Sequence, residues 1–483
     1  MPNTILNTYP VRTLRSVCSA LPPAPLTLPP APFHQNSWTK RAGREAGPGR
    51  ARGHQHATLS RKGGSMSTMG LVEGGNDHRC ATVGAVDGGD TLASLRARID
   101  EIDRDLVRLL NERFAVCERI GAAKRAAGGA GDAVVYVPSR EKAVLDKVSR
   151  LNRQYPGPLS EPAVRSIFRE IMSYSIHLQR PISIVYPGES GGLAHQAAIA
   201  RFGTSLTCVG GDLDLRAVFD AVQRGHSQYG VVPVDRLSDM ISVMYRLACS
   251  DDLMVYAEIA LPVALHLCTA SASRPAIADI RRVFVPPESA GRCRRWLAQT
   301  MPAADVVESR TLADAMSEAA VDDGQEKVVV CTALAAMLHR FNVIADGIED
   351  SGDAIDQFVI IGRDMDRATG ADKSSIVFAL SGCATSTGTL CDVLSLLKRH
   401  DVNLMSITSR EVRHVAEVTR DCPGAPRLAP DDSFFFIDVD GHVSDADARI
   451  RSLINDLRQR CAWVRLLGSR SKSTSPSSFA VRE

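Results

Sequence analysis

The chain has 483 residues, 44% hydrophobic and 23% charged, which is enough for two to four domains with cores of their own. Its formal net charge of +2 creates no field that calls for nucleic acid, and no apolar run reaches the ~18 residues that would span a bilayer, so neither partner is expected. The 12 cysteines form no CxxC pair and no His/Cys ligand spacing, and no GxGxxG or GxxxxGK[ST] loop occurs; free thiols in a reducing cytoplasmic compartment, with no metal and no cofactor, are the expectation.

Residues 1–90 differ from the rest: they carry "LPPAPLTLPPAPF", many Arg, Ser and Gly, and Glu45 as the only acid before Glu73. Such a segment buries too little apolar surface to offset its ordering entropy, so a disordered leader is expected. An acid-poor, Arg/Ser-rich leader also has the composition of a transit peptide; initiation at Met66 or Met69 behind a non-native extension is the other reading.

A first folded segment is expected over 91–180. "TLASLRARIDEIDRDLVRLLNERFAVCERIGAAKRAA" places Leu95, Ile99, Ile102, Leu106, Leu109, Leu110 and Ile120 at helical spacing, with Thr91 able to cap the start. "GGAGD" breaks this helix, and "SREKAVLDKVSRLNRQ" and "LSEPAVRSIFREIMSYSIHLQ" read as a second and a third. Three helices with few aromatics make a thin core, which points to mutual burial in a homodimer. On the first helix Arg113 and Lys124 are eleven apart, about three full turns, and share a side. Arg96 lies seventeen before Arg113, roughly 100° round the axis, badly placed to join them within one protomer and free to join from a second. In the third helix Ser175 and Gln179 sit one turn apart on one face.

From 181 to 367 short strands and helices alternate. "ISIVY", "YGVVPV", "RRVFVP", "KVVVC" and "FVIIG" read as strands, "LRAVFDAVQRG" and "TLADAMSEAAV" as helices, implying α/β alternation with a largely parallel sheet. From 373 to 469 the order is β-α-β-β-α-β, with strands "SSIVFAL", "VNLMSITS", "SFFFIDVDG" and "AWVRLLGS" and helices over 388–400 and 444–460, a ferredoxin-like split βαβ. "CPGAPRLAPDD" (422–432) reads as a loop, and 470–483 as a tail.

The motifs "LRARID", "LLNERF", "IGAAKR", "SREKAVL" and "IFREIMSYSIHLQ" together resemble the all-helical AroQ class of chorismate mutase, across the whole of 91–180. The resemblance implies an intertwined homodimer of three-helix chains, active on chorismate without cofactor, and a fragment 91–180 active on its own. It also implies roles: Arg113 and the partner's Arg96 bind the two carboxylates, and Ser175 supports one of them. Lys124 and Gln179 reach the ether oxygen, and Glu141 holds the ring hydroxyl. Val137 departs from the polar residue many relatives have near that hydroxyl.

The middle segment resembles the two-lobed α/β prephenate dehydratase domain that follows this mutase in bifunctional P-proteins, through "IVYPGESGGLAHQAA", "YGVVPVDRLSDMI", "RRVFVPPESAGRCRRWL" and "DAIDQFVIIG". The reactive positions of that family are substituted. Its Thr-Arg pair before Phe falls on Asp356 and Gln357, its Glu-Asn-Ser on Asp235, Arg236 and Leu237, and the following Gly on Met240. Its Ser-His falls on Val285 and Pro286, its Gln on Glu288, and the Thr of its first turn on Gly192. Dehydration with decarboxylation needs a proton donor and cations for two carboxylates, so the resemblance implies the fold with the chemistry degenerate.

"STGTLCDVLSLLKRHDVNLMSITSR" resembles an ACT regulatory domain, with Gly388, Leu390 and Asn403 in place and Thr408 and Glu411 departing. An amino-acid effector near Gly388, Thr389, Leu390, Ser409 and Arg410 is implied. The leading expectation is therefore a chorismate mutase of aromatic amino-acid biosynthesis with an inactive dehydratase-like domain. The alternatives are a working bifunctional enzyme making phenylpyruvate, an altered prephenate-processing activity, and a non-enzymatic regulatory partner of a shikimate-pathway enzyme.

Overall fold

The computed structural model describes residues 91–127, 136–211, 213–250, 252–272, 274–321, 326–380, 388–411, 432–444 and 448–472. The leader, the "GGAGD" break and most of the Pro-rich insert lie outside them.

Helix α1 (Leu92–Ala127) starts at Thr91, whose Oγ1 accepts from Ser94 N at 3.3 Å. Among the described residues its first half stays exposed: Leu95, Ile99, Ile102 and Leu106 are 45–56% exposed. Contact begins near Leu110, where α1 meets α3 (Glu161–Gln179). There Phe114 meets Tyr174 edge-on at 4.9 Å. Gly121 lets the two helices close up, since a Cβ there would stand 3.0 Å from Gln179 Cα. Between them in the chain, α2 (Pro138–Gln154) packs on α3.

The next elements alternate: β1 (Ser183–Val185), α4 (Leu193–Phe202), β2 (Thr207–Val209), α5 (Leu215–Gln223), β3 (Tyr229–Pro233), α6 (Leu237–Cys249) and β4 (Met254–Pro262). Then come β5 (His266–Thr269), β6 (Arg282–Val285), α7 (Pro287–Ala290), α8 (Arg294–Thr300), β7 (Asp305–Glu308), α9 (Leu312–Ala320), β8 (Lys327–Cys331), α10 (Ala333–His339), β9 (Asn342–Asp346) and β10 (Ile355–Gly362). They form two five-stranded sheets, β2-β1-β3-β10-β4 and β7-β6-β8-β5-β9. Each is mixed rather than largely parallel: β10 runs antiparallel to β3 and β4, and β5 to β8 and β9. The chain crosses from one sheet to the other through residues 263–265 after β4 and back through 347–354 before β10, so β5 and β10 enter their sheets from the other lobe and not by a helical crossover within one sheet, the connection that parallel neighbours require.

Strand β11 (Asp372–Leu380), α11 (Thr389–Arg399), β12 (Leu404–Glu411), β13 (Ser433–Asp440), α12 (Ala448–Arg460) and β14 (Trp463–Ser471) complete the chain as a βαββαβ unit. Its antiparallel sheet is ordered β12-β13-β11-β14. β14 runs to Ser471, so Arg470 belongs to the sheet and not to the tail expected from 470. The cause is a buried ion network. Arg470 donates to Glu258 Oε1 of β4 at 2.6 and 2.9 Å, and Lys373 Nζ lies 2.8 Å from the same oxygen. Arg470 also donates to Ser375 Oγ, which donates to Asp438. Two cations and two acids satisfy one another out of water; removing one partner of such a set costs about 3–5 kcal/mol. Beside it, Val377, Ala379, Phe434 and Phe436 of the sheet share a core with Val243, Met244 and Leu247 of α6.

The start of α2 is docked on the first lobe. Tyr136, 1% exposed, packs among Phe202, Tyr229 and Tyr256, and full burial of a large apolar side chain contributes about 1.5–3 kcal/mol.

Candidate functional site

Two groups of side chains meet where α1 crosses α3. Arg113 Nη1 donates to Ser175 Oγ at 2.5 Å, and Ser175 Oγ donates onward to Ile171 O at 2.6 Å. Lys124 Nζ donates to Gln179 Oε1 at 3.1 Å, and Gln179 Nε2 donates to Ser175 O at 3.1 Å. These contacts bring the Arg113–Lys124 side of α1 onto the Ser175–Gln179 face of α3, with the two cations flanking a stretch about 16 Å long. Burial holds Lys124 below the ordinary lysine range, and the charges of Arg140 and Arg367 push it the same way. A lysine with two arginines acting on it is a setting for an anion.

Two expected members lie elsewhere. Arg96 is on the exposed half of α1, about 25 Å along the axis from Arg113. Glu141 is buried and faces the first lobe, paired with Arg201 of α4 at 3.1 Å. Its neighbour Arg140 is the α2 residue whose charge reaches Lys124. Sequence reasoning passed over Arg140; its signal was adjacency, since neighbours on a helix point about 100° apart and one of the two must face away.

Between the two lobes lies a cavity of about 410 Å³. Asp235, Arg236, Glu288 and Asp356 all line it, with Glu189, Asp239 and Arg292. Arg292 and Asp356 form a fork-on-fork pair, both N–O distances 2.8 Å, and Asp235 stands 3.9 Å from the same guanidinium. Burial pushes the Asp356, Glu288 and Asp239 carboxyls up from their ordinary values, against the pull of the neighbouring arginines. Gln357 is 4% exposed and does not line the cavity; strand alternation turns it to the other face of β10 while Asp356 and Phe358 face in. Arg292 was not legible in "GRCRRWL": three arginines stand within four residues, and the turn after α7 alone selects the inward one.

In the last unit Gly388 takes a left-handed turn (φ 92°) just before Thr389 and Leu390 open α11. Ser409 and Arg410 lie near the end of β12, at the edge of the sheet.

Residues 95–180 match the family described as chorismate mutase type II, and residues 184–366 the family described as prephenate dehydratase. The bifunctional chorismate mutase/prephenate dehydratase of Aquifex aeolicus is 31% identical over 386 residues, which is 80% of this chain and 99% of the relative. The chain belongs to the bifunctional chorismate mutase/prephenate dehydratase family. The enzyme of the same description from Neisseria gonorrhoeae is 28% identical over 77% of this chain and 95% of its own. Among solved structures, a prephenate dehydratase from Arthrobacter aurescens in complex with L-Phe aligns with a TM-score of 0.50 at 25% identity, over 61% of this chain and 92% of its own. The α1–α3 face therefore lies in the chorismate mutase domain and the inter-lobe cavity in the prephenate dehydratase domain. None of the helices described is long and apolar enough to cross a membrane.

Proposed function

We propose that the chain rearranges chorismate to prephenate at the α1–α3 face, that this face is completed by a second copy, and that the inter-lobe cavity no longer dehydrates prephenate. The observation that carries the first part is the pair of cross-helix contacts, Arg113 to Ser175 and Lys124 to Gln179. The rearrangement is one pericyclic step. It needs a dianion held in a compact chair and positive or donor groups where the ether C–O bond stretches. Arginine forks suit the carboxylates. Lys124 faces the ether oxygen, and preorganised donors there act on charge that exists only in the transition state. Holding the chair supplies much of the remaining barrier reduction.

The second copy is supported by the bare half of α1. Leu95, Ile99, Ile102, Leu106 and Leu109 follow a 3-4 spacing and are 45–56% exposed, an apolar seam of the kind that pairs with its like. A twofold pairing along it brings the partner's Arg96 towards Arg113.

The loss of dehydration is supported by the cavity's charge. Five acids line it against two arginines, and one of those arginines is taken up by Asp356. A dianion with two carboxylates meets repulsion there. The relatives' bifunctional activity and the raised Asp356 and Glu288 carboxyls favour a second reading, in which one of these acids donates the proton and the chain makes phenylpyruvate. The βαββαβ unit is read as an ACT domain that binds an amino-acid effector near Gly388 and Ser409, in line with the L-Phe in the Arthrobacter aurescens structure, and the protein as cytoplasmic.

Given chorismate, the purified chain is expected to consume it and accumulate prephenate, recognised by its conversion to phenylpyruvate only after acid treatment. Phenylpyruvate before acid would establish the second reading, and unconsumed chorismate would remove the first. Gln179→Ala is expected to lower turnover by one to three decades with the fold intact. Its amide carries two N–H donors, one spent on Ser175 O and one left for the substrate, and loss of such a donor costs about 3 kcal/mol. An unchanged turnover number returns Gln179 to a structural role.

A further inference from the structure

Helix α2 starts without a cap of its own: Val137 at its N-cap offers no side-chain acceptor, and Pro138 follows it. The acceptor comes from Asp366, 227 residues further on. Asp366 Oδ2 accepts from Ser139 N at 3.0 Å and Oδ1 from Ser139 Oγ at 2.8 Å, while Arg367 N donates to Oδ1 at 2.8 Å. A carboxylate at a helix N-terminus satisfies orphan N–H groups and meets the positive end of the helix dipole. Asp366 is only 3% exposed, so water takes little part.

Its own position is fixed from the regulatory side. His442, buried just past β13, accepts from Ser444 N on Nδ1 at 3.0 Å, which leaves the proton on Nε2 to be donated to Asp366 O at 3.0 Å. On either side of Ser139 the turn is gripped again. Tyr256 Oη donates to Tyr136 O at 2.6 Å, and Arg201 pairs with Glu141. The residue between these anchors that faces outward is Arg140, and α2 packs on α3, the helix that carries Ser175 and Gln179; the charge of Arg140 reaches Lys124, as does that of Arg367 beside Asp366.

We propose that Asp366 is a positioning residue of the mutase: it fixes the first turn of α2, and with it the distance from Arg140 to the Lys124–Gln179 pair, from outside the mutase domain. A shift of about 1 Å in a group that faces a substrate can cost on the order of a hundredfold in rate. The segment 363–371 that joins the dehydratase domain to the βαββαβ unit is then part of the mutase machinery, and the isolated segment 91–180 lacks the cap.

The test uses the full chain and chorismate. Asp366→Ala is expected to lower kcat tenfold or more while KM moves less than threefold. Asp366→Asn keeps an acceptor for Ser139 N and an NH2 that can donate to Ser139 Oγ, loses the bond from Arg367 N, and is expected to fall clearly less than Asp366→Ala. Ser139→Ala removes one of the two bonds and leaves the carboxylate its other partners; a two- to tenfold fall is expected. Circular dichroism and a thermal melt report whether each variant folds, and Ser139→Ala decides the matter where Asp366→Ala does not. A folded Asp366→Ala at full kcat, equal losses in the Ala and Asn variants, or an unaffected Ser139→Ala overturns the proposal. The inference rests on the α1–α3 face being the mutase site: an unmodified chain that leaves chorismate untouched refutes that reading, whereas an active chain indifferent to these variants refutes this one alone.

Discussion

Chains carrying Arg96→Ala and chains carrying Arg113→Ala are each expected to lose about two orders of magnitude in kcat/KM, and their mixture to regain activity. Each substitution removes a charge-assisted contact to a carboxylate, worth up to about 3 kcal/mol. The recovery follows from the geometry of α1. Arg113 reaches Ser175 in its own chain, while Arg96 lies on the exposed half of the same helix. A separation of about 25 Å rules out their joining one substrate from one protomer. In a twofold dimer with shared sites, a heterodimer of the two variants has one site with both arginines and one with neither. Random exchange makes half of all dimers heterodimers, so about a quarter of all sites become intact. The measurement is chorismate consumption after the two variants are unfolded together and refolded, with heterodimer content read from a mass tag on one of them. Heterodimers that form without restoring activity would show that Arg96 serves its own chain or none. A chain that stays monomeric would show that the apolar seam of α1 has another use.

What could be read from sequence was what local periodicity determines. The 3.6-residue repeat set α1 and α3, and the eleven-residue and four-residue separations put Arg113 with Lys124 on one side of α1 and Ser175 with Gln179 on one face of α3; that the two sides meet is a tertiary fact that only the family resemblance implied. The strands "YGVVPV", "KVVVC" and "FVIIG" announced themselves as apolar runs and became β3, β8 and β10. What stayed hidden was set by contacts between distant segments. Glu141 and Arg140 are neighbours, and the choice between them depends on Arg201, Tyr256 and Asp366, none of which is local. Strand direction was misjudged because the passages 263–265 and 347–354 between lobes carry no periodic signal of their own. Arg470 read as the start of a polar tail because a buried arginine differs from a solvated one only by its partners, Glu258 and Ser375. The nine-residue strand β4 contributes Glu258 and Tyr256 to two separate interdomain joints, yet its sequence "MVYAEIALP" shows only an ordinary alternation.

Prephenate supplied at neutral pH is expected to yield no enzyme-dependent phenylpyruvate. The inter-lobe cavity lies in the prephenate dehydratase domain, and on the reading proposed above its charges oppose a dianionic substrate. Arg292 is the cation best placed to take a carboxylate, and its fork is closed by Asp356 at 2.8 Å on both sides, with Asp235 at 3.9 Å. Opening that fork leaves a carboxylate in a site where burial already disfavours its charge. A substrate carboxylate has to displace Asp356 and then sit beside it. Asp356→Thr frees the Arg292 fork but leaves Glu189, Asp235, Asp239 and Glu288 in the wall, and residue 357 faces away from the cavity, so Asp356→Thr with Gln357→Arg is not expected to recover full activity. The competing outcome has its own pH signature. If Asp356 is the general acid, it must carry a proton; its folded pKa lies above the ordinary aspartate value, so activity is present below that pKa and falls as pH rises through it. The assay supplies prephenate, quenches in alkali and reads phenylpyruvate absorbance against an acid-converted control across the pH range. Phenylpyruvate that forms at low pH, fades as pH rises and disappears in Asp356→Asn would mean that burial, not the Arg292 fork, governs the cleft, and that the chain carries both activities of its family.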